Sequence, residues 1–220
     1  MKLTVREGIQ CLFLIVALTM VCDTANAERL WSKRELNVLS EDCTTKVRVN
    51  LPAFVSLENG SRVDIKNARN NGPQKADGAG LINYYCVLSN AGSITDFVEW
   101  NPDAGEWAPK LNRILESKNS TSDSQWAHRW YRRNYHVIQL KSANASGYAI
   151  LDKTSTGFGT IPGEEDKESQ RSGPINLTFC LLHPPKAMCG DGLMGYRQNG
   201  PQGDVTDRAL KILRSIEFID

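Results

Sequence analysis

The sequence predicts an α+β fold: a mostly antiparallel sheet covered by helices, with a C-terminal helix packed on the sheet. Short segments of alternating or β-branched residues are separated by tight-turn signals, as in antiparallel strands. Two central segments and the end of the chain carry apolar residues at helical spacing instead. Because short turns and not helical crossovers join the strands, an antiparallel sheet is favoured over a βαβ repeat.

Residues 1–27 have the layout of a secretory signal peptide. Lys2 and Arg6 precede an uncharged run from Gly8 to Cys22, and Ala25-Asn26-Ala27 is a small-x-small cleavage site. The apolar run is shorter than the ~20 residues that a spanning helix needs. Lipidation at Cys22 is the alternative, but the two residues before it are larger than a lipoprotein signal requires. We therefore expect a single α+β domain, residues 28–220, that is periplasmic or secreted and has no transmembrane segment.

Four cysteines remain once this signal is removed: Cys43, Cys86, Cys180 and Cys189. In an oxidising compartment an even number predicts two disulfides, with three possible connectivities. We favour Cys43–Cys86 with Cys180–Cys189, because the second pair flanks the turn-prone His183-Pro-Pro-Lys186 and can close across one hairpin. Such a bond would fix the register of two central strands. No C-x-x-C or Cys/His cluster has the spacing of a zinc site, so no metal is expected.

The N-terminal half is predicted to form strands joined by turns. Apolar and polar residues alternate along Lys46–Leu51, and Glu58-Asn-Gly-Ser61 is a hairpin signal. The period of Leu30–Leu39 is ambiguous and fits a short helix or an extended arm. The further strands predicted in this half are Arg62–Ile65, Leu81–Leu88 and Ile94–Trp100.

Two helices are predicted in the middle of the chain. Leu111, Ile114 and Leu115 stand at i, i+3 and i+4 and define a helix over 110–118, and a polar run caps a second helix over 125–133. Strands are predicted at 135–141 and 147–151. The segment 175–196 contains two further strands, which are the arms of the cysteine hairpin. The polar segments 67–80 and 154–174 are expected to be loops.

The last element is an amphipathic helix over Asp204–Phe218, with Asp204 as its N-cap. Ala209, Ile212, Leu213 and Ile216 form its apolar stripe. The segment ALKILRSIEF, 209–218, resembles the closing helix of proteins with the Mog1/PsbP-like α+β fold. That resemblance implies a terminal helix that packs across an antiparallel sheet.

Composition and motifs give no sign of catalysis. The formal net charge of +1 provides no electrostatic case for nucleic acid or anionic lipid. No nucleophile elbow, phosphate-binding loop or dinucleotide fingerprint is present, so we expect no enzyme, no catalytic residues and no cofactor. Glu99, Asp103 and Glu106 lie around two tryptophans and would suit a glycosidase or a carbohydrate binder, although a solvated turn is the favoured interpretation.

The most unusual composition is WAHRWYRRNY, residues 126–135. Tryptophan, tyrosine and arginine dominate the hot spots of protein interfaces. The residues predicted to bind a protein partner with an acidic site are Trp126, Arg129, Trp130, Arg132 and Arg133. The alternative is that both tryptophans belong to the core and only the arginines face solvent.

The whole arrangement resembles the exported immunity proteins of bacterial secretion-delivered toxins, which are small disulfide-containing domains with long polar loops and no catalytic signature. This resemblance implies a non-enzymatic periplasmic protein that neutralises a toxin by direct binding, as a monomer or a dimer. The alternatives are an exported hydrolase acting on envelope carbohydrate and a structural accessory of an envelope complex.

Overall fold

A computed structural model of the chain describes residues 31–41, 43–52, 55–58, 62–64, 80–110, 133–153 and 173–220. Strands account for 60% of these residues and helices for 16%. The predicted α+β class is therefore wrong, because the described part of the chain is mostly β and consists of several antiparallel sheets. The helices predicted over 110–118 and 125–133 fall outside the described residues except for Lys110 and Arg133.

The strands of the described ranges are β1 (Trp31–Leu39), β2 (Thr44–Pro52), β3 (Ser56–Glu58), β4 (Arg62–Asp64), β5 (Leu81–Leu88), β6 (Val98–Asn101), β7 (Glu106–Pro109), β8 (Tyr135–Lys141), β9 (Ser146–Asp152), β10 (Pro174–His183), β11 (Lys186–Tyr196) and β12 (Glu217–Phe218). The helix α1 spans Thr206–Arg214, and 3-10 turns occur at Gly92–Thr95, Arg197–Asn199 and Pro201–Gly203.

The strands form three antiparallel sheets. The main sheet has the order β3-β4-β5-β11-β10-β9-β8, the small sheet has the order β1-β2-β12, and β6 and β7 form a separate side hairpin. Strands β10 and β11 occupy the middle of the main sheet and turn at Pro184-Pro185. Their register pairs Cys180 with Cys189 and His183 with Lys186, so the predicted stapled hairpin is confirmed.

One hydrophobic cluster fills the space between the main sheet, the small sheet and α1. Phe179 and Leu181 point into it from the inner face of the main sheet, and Val47 and Leu51 enter it from the small sheet. The segment 30–39, whose period was ambiguous, becomes β1 and contributes Leu36 and Val38. A second sheet therefore covers much of the face for which helices were predicted, and this is the physical reason for the change of fold class.

Both predicted disulfide pairs are present. Cys43–Cys86 joins the start of β2 to β5, so it connects the small sheet to the main sheet, with Cα atoms 5.3 Å apart. Cys180–Cys189 joins two neighbouring strands of the main sheet, with Cα atoms 4.1 Å apart. Two disulfides fit a protein that is exported to an oxidising compartment. In the described ranges, no helix has the length and apolar character to cross a membrane.

The C-terminal helix is confirmed but is shorter than predicted. All four residues of its predicted stripe are buried, and the helix packs on β2, β8 and β11. The N-cap position is held by Val205, while the Asp204 carboxylate accepts a hydrogen bond from the Thr206 N–H at 2.9 Å. After Ser215 the chain leaves the helix and pairs with β2 as β12, so the end of the segment predicted as helix is a strand.

The outer face of the main sheet carries a second hydrophobic cluster. Tyr148, Ile150 and the Cys180–Cys189 pair contribute to it from the sheet. The 3-10 turn at Gly92–Thr95 and the side hairpin cover it with Ile94 and Val98, both buried. The main sheet is therefore the middle layer of the described structure, with the small sheet on one side and the side hairpin on the other.

Candidate protein-binding surface

The side hairpin has two chemically different faces. Its register pairs Val98 with Pro109, Trp100 with Trp107, and Asn101 with Glu106. Because side chains alternate along a strand, the two tryptophans share one face with Val98 and Pro109. Glu99, Asn101, Glu106 and Ala108 occupy the other face. One side of the hairpin is thus apolar and the other carries carboxylates.

The apolar face is anchored on the main sheet. The ring of Trp107 packs on that of Tyr148 with centroids 5.1 Å apart, and Trp100 meets Trp107 edge to face at 5.6 Å. Val98, at the base of the hairpin, is fully buried against the main sheet, whereas Trp100 is 50% exposed. Trp100 therefore lies at the rim, with one side packed and the other side in solvent.

Hydrogen bonds fix the position of the hairpin. The side-chain amide of Gln139, on β8, accepts from the Trp107 N–H at 2.9 Å and donates to the Trp107 carbonyl at 2.9 Å. It satisfies both backbone groups as a neighbouring strand would. At the base, the Lys110 N–H donates to the Phe97 carbonyl at 2.9 Å, and Lys110 Nζ donates to the Thr95 carbonyl at 2.8 Å.

The tip of the hairpin is also ordered by its own sequence. Asn101 Oδ1 accepts hydrogen bonds from the N–H groups of Asp103 and Ala104 at 3.1 and 3.2 Å, and the Gly105 N–H donates to the Asn101 carbonyl at 2.9 Å. Gly105 has φ +65°, a conformation that glycine adopts readily because it lacks a Cβ. The tip is thus held in one shape before any partner arrives.

Tyr148 ties the sheet to the turn beside the hairpin. Its hydroxyl donates a hydrogen bond to the carbonyl of Ile94. Burial raises the pKa of Tyr148 well above its ordinary value, and the nearby Tyr85 and Asp96 add to the shift. The hydroxyl therefore stays protonated in the physiological range and remains a donor.

Three carboxylates belong to the same hairpin as Trp100: Glu99 and Glu106 on the face opposite the rings, and Asp103 at the tip. Glu99, Asp103 and Glu106 are exposed, and no ion pair joins them to a cation within the described ranges. We call Trp100 and these three residues the acidic hairpin surface. It combines a half-exposed aromatic ring with net negative charge on a preorganised element.

The residues that the sequence predicted as a binding surface are mostly outside the described part of the chain. Trp126, Arg129, Trp130 and Arg132 lie outside it. Arg133 is described and exposed, two residues before β8 begins. It precedes β8 of the main sheet and does not belong to the side hairpin.

Sequence reasoning pointed to the carboxylates but not to their geometry. It placed Glu99, Asp103 and Glu106 around two tryptophans, whereas the register puts Glu99 and Glu106 on the face opposite the rings. The sequence predicted one strand here, Ile94–Trp100, and no second strand at Glu106–Pro109. A signal for a hairpin was nevertheless present: apolar residues alternate at Val98 and Trp100 before the turn Asn101-Pro-Asp-Ala-Gly105, and at Trp107 and Pro109 after it.

Comparisons with known proteins found no matching family model, no matching curated protein and no matching solved structure. Across the described residues, no group of three or more His, Cys, Asp or Glu side chains is placed to hold a metal ion.

Proposed function

We propose that this chain is an exported, non-enzymatic binding protein that neutralises another protein, as toxin immunity proteins do, by inserting its acidic hairpin surface into a cationic cleft. The observation that carries the proposal is the fixed side hairpin, which exposes half of Trp100 on one face and carries three carboxylates at its tip and on its other face. The location that goes with it is the periplasm or the extracellular space, as expected for a disulfide-containing exported chain.

Trp100 has the properties of an interface anchor. Tryptophan is enriched among hot-spot residues because one rigid side chain buries a large apolar area with little loss of conformational freedom. Half of this ring is already packed on Trp107, so its orientation is set before binding. A partner that covers the exposed half gains apolar burial at a small entropic cost.

The carboxylates determine the chemistry of the partner. Glu99, Asp103 and Glu106 project from an element whose backbone is held at its tip, its base and its middle. A cleft lined by lysine and arginine would accelerate encounter with such a surface and would exclude basic competitors. Clefts of that kind occur in proteins that act on polyanionic substrates, so masking one would block the partner's activity.

The Trp/Arg segment remains a second predicted contact region. Four of its five residues lie outside the described ranges, and only the exposure of Arg133 bears on it. Its arginines would suit an acidic site, whereas the acidic hairpin surface would suit a basic one. The two surfaces therefore require partner sites of opposite charge. Charge-reversal variants can show which of the two surfaces binds the partner.

The experiment is a binding measurement with the protein encoded next to this chain in its genome. The purified pair would be compared by biolayer interferometry for the wild type, Trp100→Ala and Glu99→Lys/Glu106→Lys. We expect each variant to weaken binding by about tenfold or more, the usual effect of losing a hot spot. Leu39→Ala and Glu41→Lys are matched controls, because both positions are exposed and lie by the β1–β2 turn of the small sheet, in the layer opposite the hairpin.

Unchanged affinity in both hairpin variants would exclude the acidic hairpin surface as the binding site. Loss of binding in Arg133→Glu, with the hairpin variants unaffected, would assign the interaction to the Trp/Arg segment instead.

A further inference from the structure

A basic trough lies where the small sheet meets α1, on the side of the main sheet opposite the side hairpin. Two adjoining cavities of about 200 and about 220 Å3 share Asn50 and Ser215 as lining residues. Asn50 is paired with Lys33 across β1 and β2, and its backbone N–H donates to Ser215 Oγ at 3.0 Å. We call Trp31, Lys33, Asn50, Lys211, Arg214 and Ser215 the basic trough.

The trough has more positive than negative charge. Lys33, Lys211 and Arg214 are exposed or line the cavities, and none of them forms an ion pair with a described residue. The neighbouring Arg48 differs, because Glu35 and Glu217 hold it on either side at 3.2 and 3.3 Å. The charge of Arg48 is thus already compensated, and three cations are available to a ligand.

An aromatic ring forms one end of the trough. Trp31 is partly buried against the core, and Lys211 Nζ lies 4.5 Å from the centre of its ring. The cavity that these two residues line with Asn50 and Ser215 is the larger of the two, about 220 Å3. It offers an apolar wall and a cation to an incoming aromatic side chain, which favours cation–π contact.

We infer that the basic trough is the docking site for the acidic hairpin surface of a second copy of this chain. The hairpin presents one half-exposed tryptophan and three carboxylates, and the trough presents an aromatic-lined cavity and three cations. The two surfaces lie on opposite sides of the main sheet. They cannot meet within one molecule, so their complementarity is satisfied between copies.

The rim of the trough argues for a discrete protein segment and against an extended polyanion. Glu35 and Glu217 lie beside the cations and would repel a membrane surface or a nucleic acid that covers the whole face. Glu217 lines the same cavity as Lys33 and Arg214, so an occupant with a few separate carboxylates is favoured over one with a continuous run of negative charge. Charge complementarity therefore favours a short acidic protein segment over a membrane surface or a nucleic acid.

The contact would be head to tail, because the two surfaces are different. Such a heterologous contact forms open chains of copies unless the rotation closes a ring. The inference rests on the proposed function, because it uses the same hairpin. It adds that self-association regulates partner binding: a neighbouring copy covers Trp100 until a partner whose cationic cleft binds the hairpin more tightly displaces that copy. The resting protein would thus protect its own exposed binding surface.

The test is sedimentation velocity on the purified protein over a wide concentration range. We expect the mean mass of the wild type to rise with concentration and to fall when the ionic strength is raised from about 0.05 to about 0.5 M, because salt screens exposed charges. Lys33→Glu/Arg214→Glu and Glu99→Lys/Glu106→Lys should each be monomeric. An equimolar mixture of these two variants should associate, because each supplies the intact surface that the other lacks.

Rescue in the mixture separates complementarity from misfolding, since two misfolded variants would not restore a defined complex. A wild type that stays monomeric at every concentration, or a mixture of variants that stays monomeric, would overturn the inference. Lys33→Glu/Arg214→Glu should retain its affinity for the partner protein. If the wild type stays monomeric but still binds the partner protein through the hairpin, self-association is rejected and the proposed function stands. If the wild type self-associates but Trp100→Ala binds the partner protein as tightly as the wild type, the proposed function is rejected and self-association stands.

Discussion

The side-chain amide of Asn144 forms a pair of hydrogen bonds with the backbone of Phe218. Asn144 Oδ1 accepts from the Phe218 N–H at 3.0 Å, and Asn144 Nδ2 donates to the Phe218 carbonyl at 2.7 Å. Asn144 belongs to the turn between β8 and β9 of the main sheet, and Phe218 belongs to β12 of the small sheet. A single side chain thus connects the two layers, as Gln139 connects the main sheet to the side hairpin.

Removing this connection should lower global stability. Asn144→Ala leaves the N–H and C=O of the buried Phe218 without these partners, and we expect a loss of about 1–3 kcal/mol in the free energy of unfolding. Urea titration followed by circular dichroism measures it. Asn37→Ala is the matched control, because Asn37 is exposed on β1. Equal stability of the two variants would show that the amide contributes nothing.

Removing the other amide should loosen the hairpin locally. Gln139→Ala leaves the Trp107 N–H and carbonyl without their side-chain partners. We expect faster hydrogen exchange across β6 and β7, since local opening free energies are lower than the global one. Exchange in β10 and β11 should not change. Mass spectrometry of exchanged peptides makes the measurement, and unaltered exchange in the hairpin would contradict the role assigned to Gln139.

A side chain at Gly190 should destabilise the main sheet. A Cβ built there would lie 2.7 Å from Phe179 Cε1 and would also collide with the backbone carbonyl of Asn83. Overpacking that requires backbone movement typically costs about 1–3 kcal/mol. We expect Gly190→Ala to lose at least that much in urea titration. Gly92→Ala is the control, because no atom lies within 4 Å of a Cβ at Gly92. A loss no greater than that of the control would refute the close packing of Phe179 on Gly190.

The two disulfides should contribute unequally. The cysteines of the inter-sheet bond Cys43–Cys86 are 43 residues apart, whereas those of Cys180–Cys189 are 9 residues apart. Loop-closure entropy predicts about 4 kcal/mol for the longer loop and about 3 kcal/mol for the shorter one. We therefore expect Cys43→Ala/Cys86→Ala to unfold at lower urea concentration than Cys180→Ala/Cys189→Ala. The reverse order would show that native-state effects outweigh chain entropy.

Asp220 should make stability depend on pH on the acid side. Partial burial raises the pKa of Asp220, but hydrogen bonds from Lys186 and Thr45 and the charge of Lys186 outweigh it, so the pKa falls below the ordinary value. A carboxylate with a lowered pKa stabilises the fold above its unfolded pKa of about 3.9, and this contribution is lost as pH falls through the folded pKa. The stability difference between the wild type and Asp220→Asn should therefore be present at pH 7 and vanish toward pH 2. Thermal melts across this range test it, and a difference that persists at the lowest pH would contradict it.

Sequence reasoning succeeded where the structure depends on neighbouring residues. The stripe of Ala209, Ile212 and Leu213 is set by helical spacing, and the pairing of Cys180 with Cys189 follows from a short turn between them. It failed where a local pattern was overridden at a distance. Ile216 continues the helical stripe and the helix was predicted to run to Phe218, yet Phe218 pairs with Val47 in β2 because the small sheet offers strand hydrogen bonds there.

The elements whose partners are close in the chain could be predicted from the sequence: the stapled central hairpin, the amphipathic helix and the alternating strands. Two features could not be predicted in this way: a second sheet replaces the expected helical cover, and Trp100 is half exposed while Trp107 is packed. These outcomes depend on contacts such as Asn144 with Phe218, 74 residues apart, and Thr45 with Asp220, 175 residues apart. Local propensity carries no information about such pairs, because they form only after the layers have come together and the backbone groups at their edges need partners.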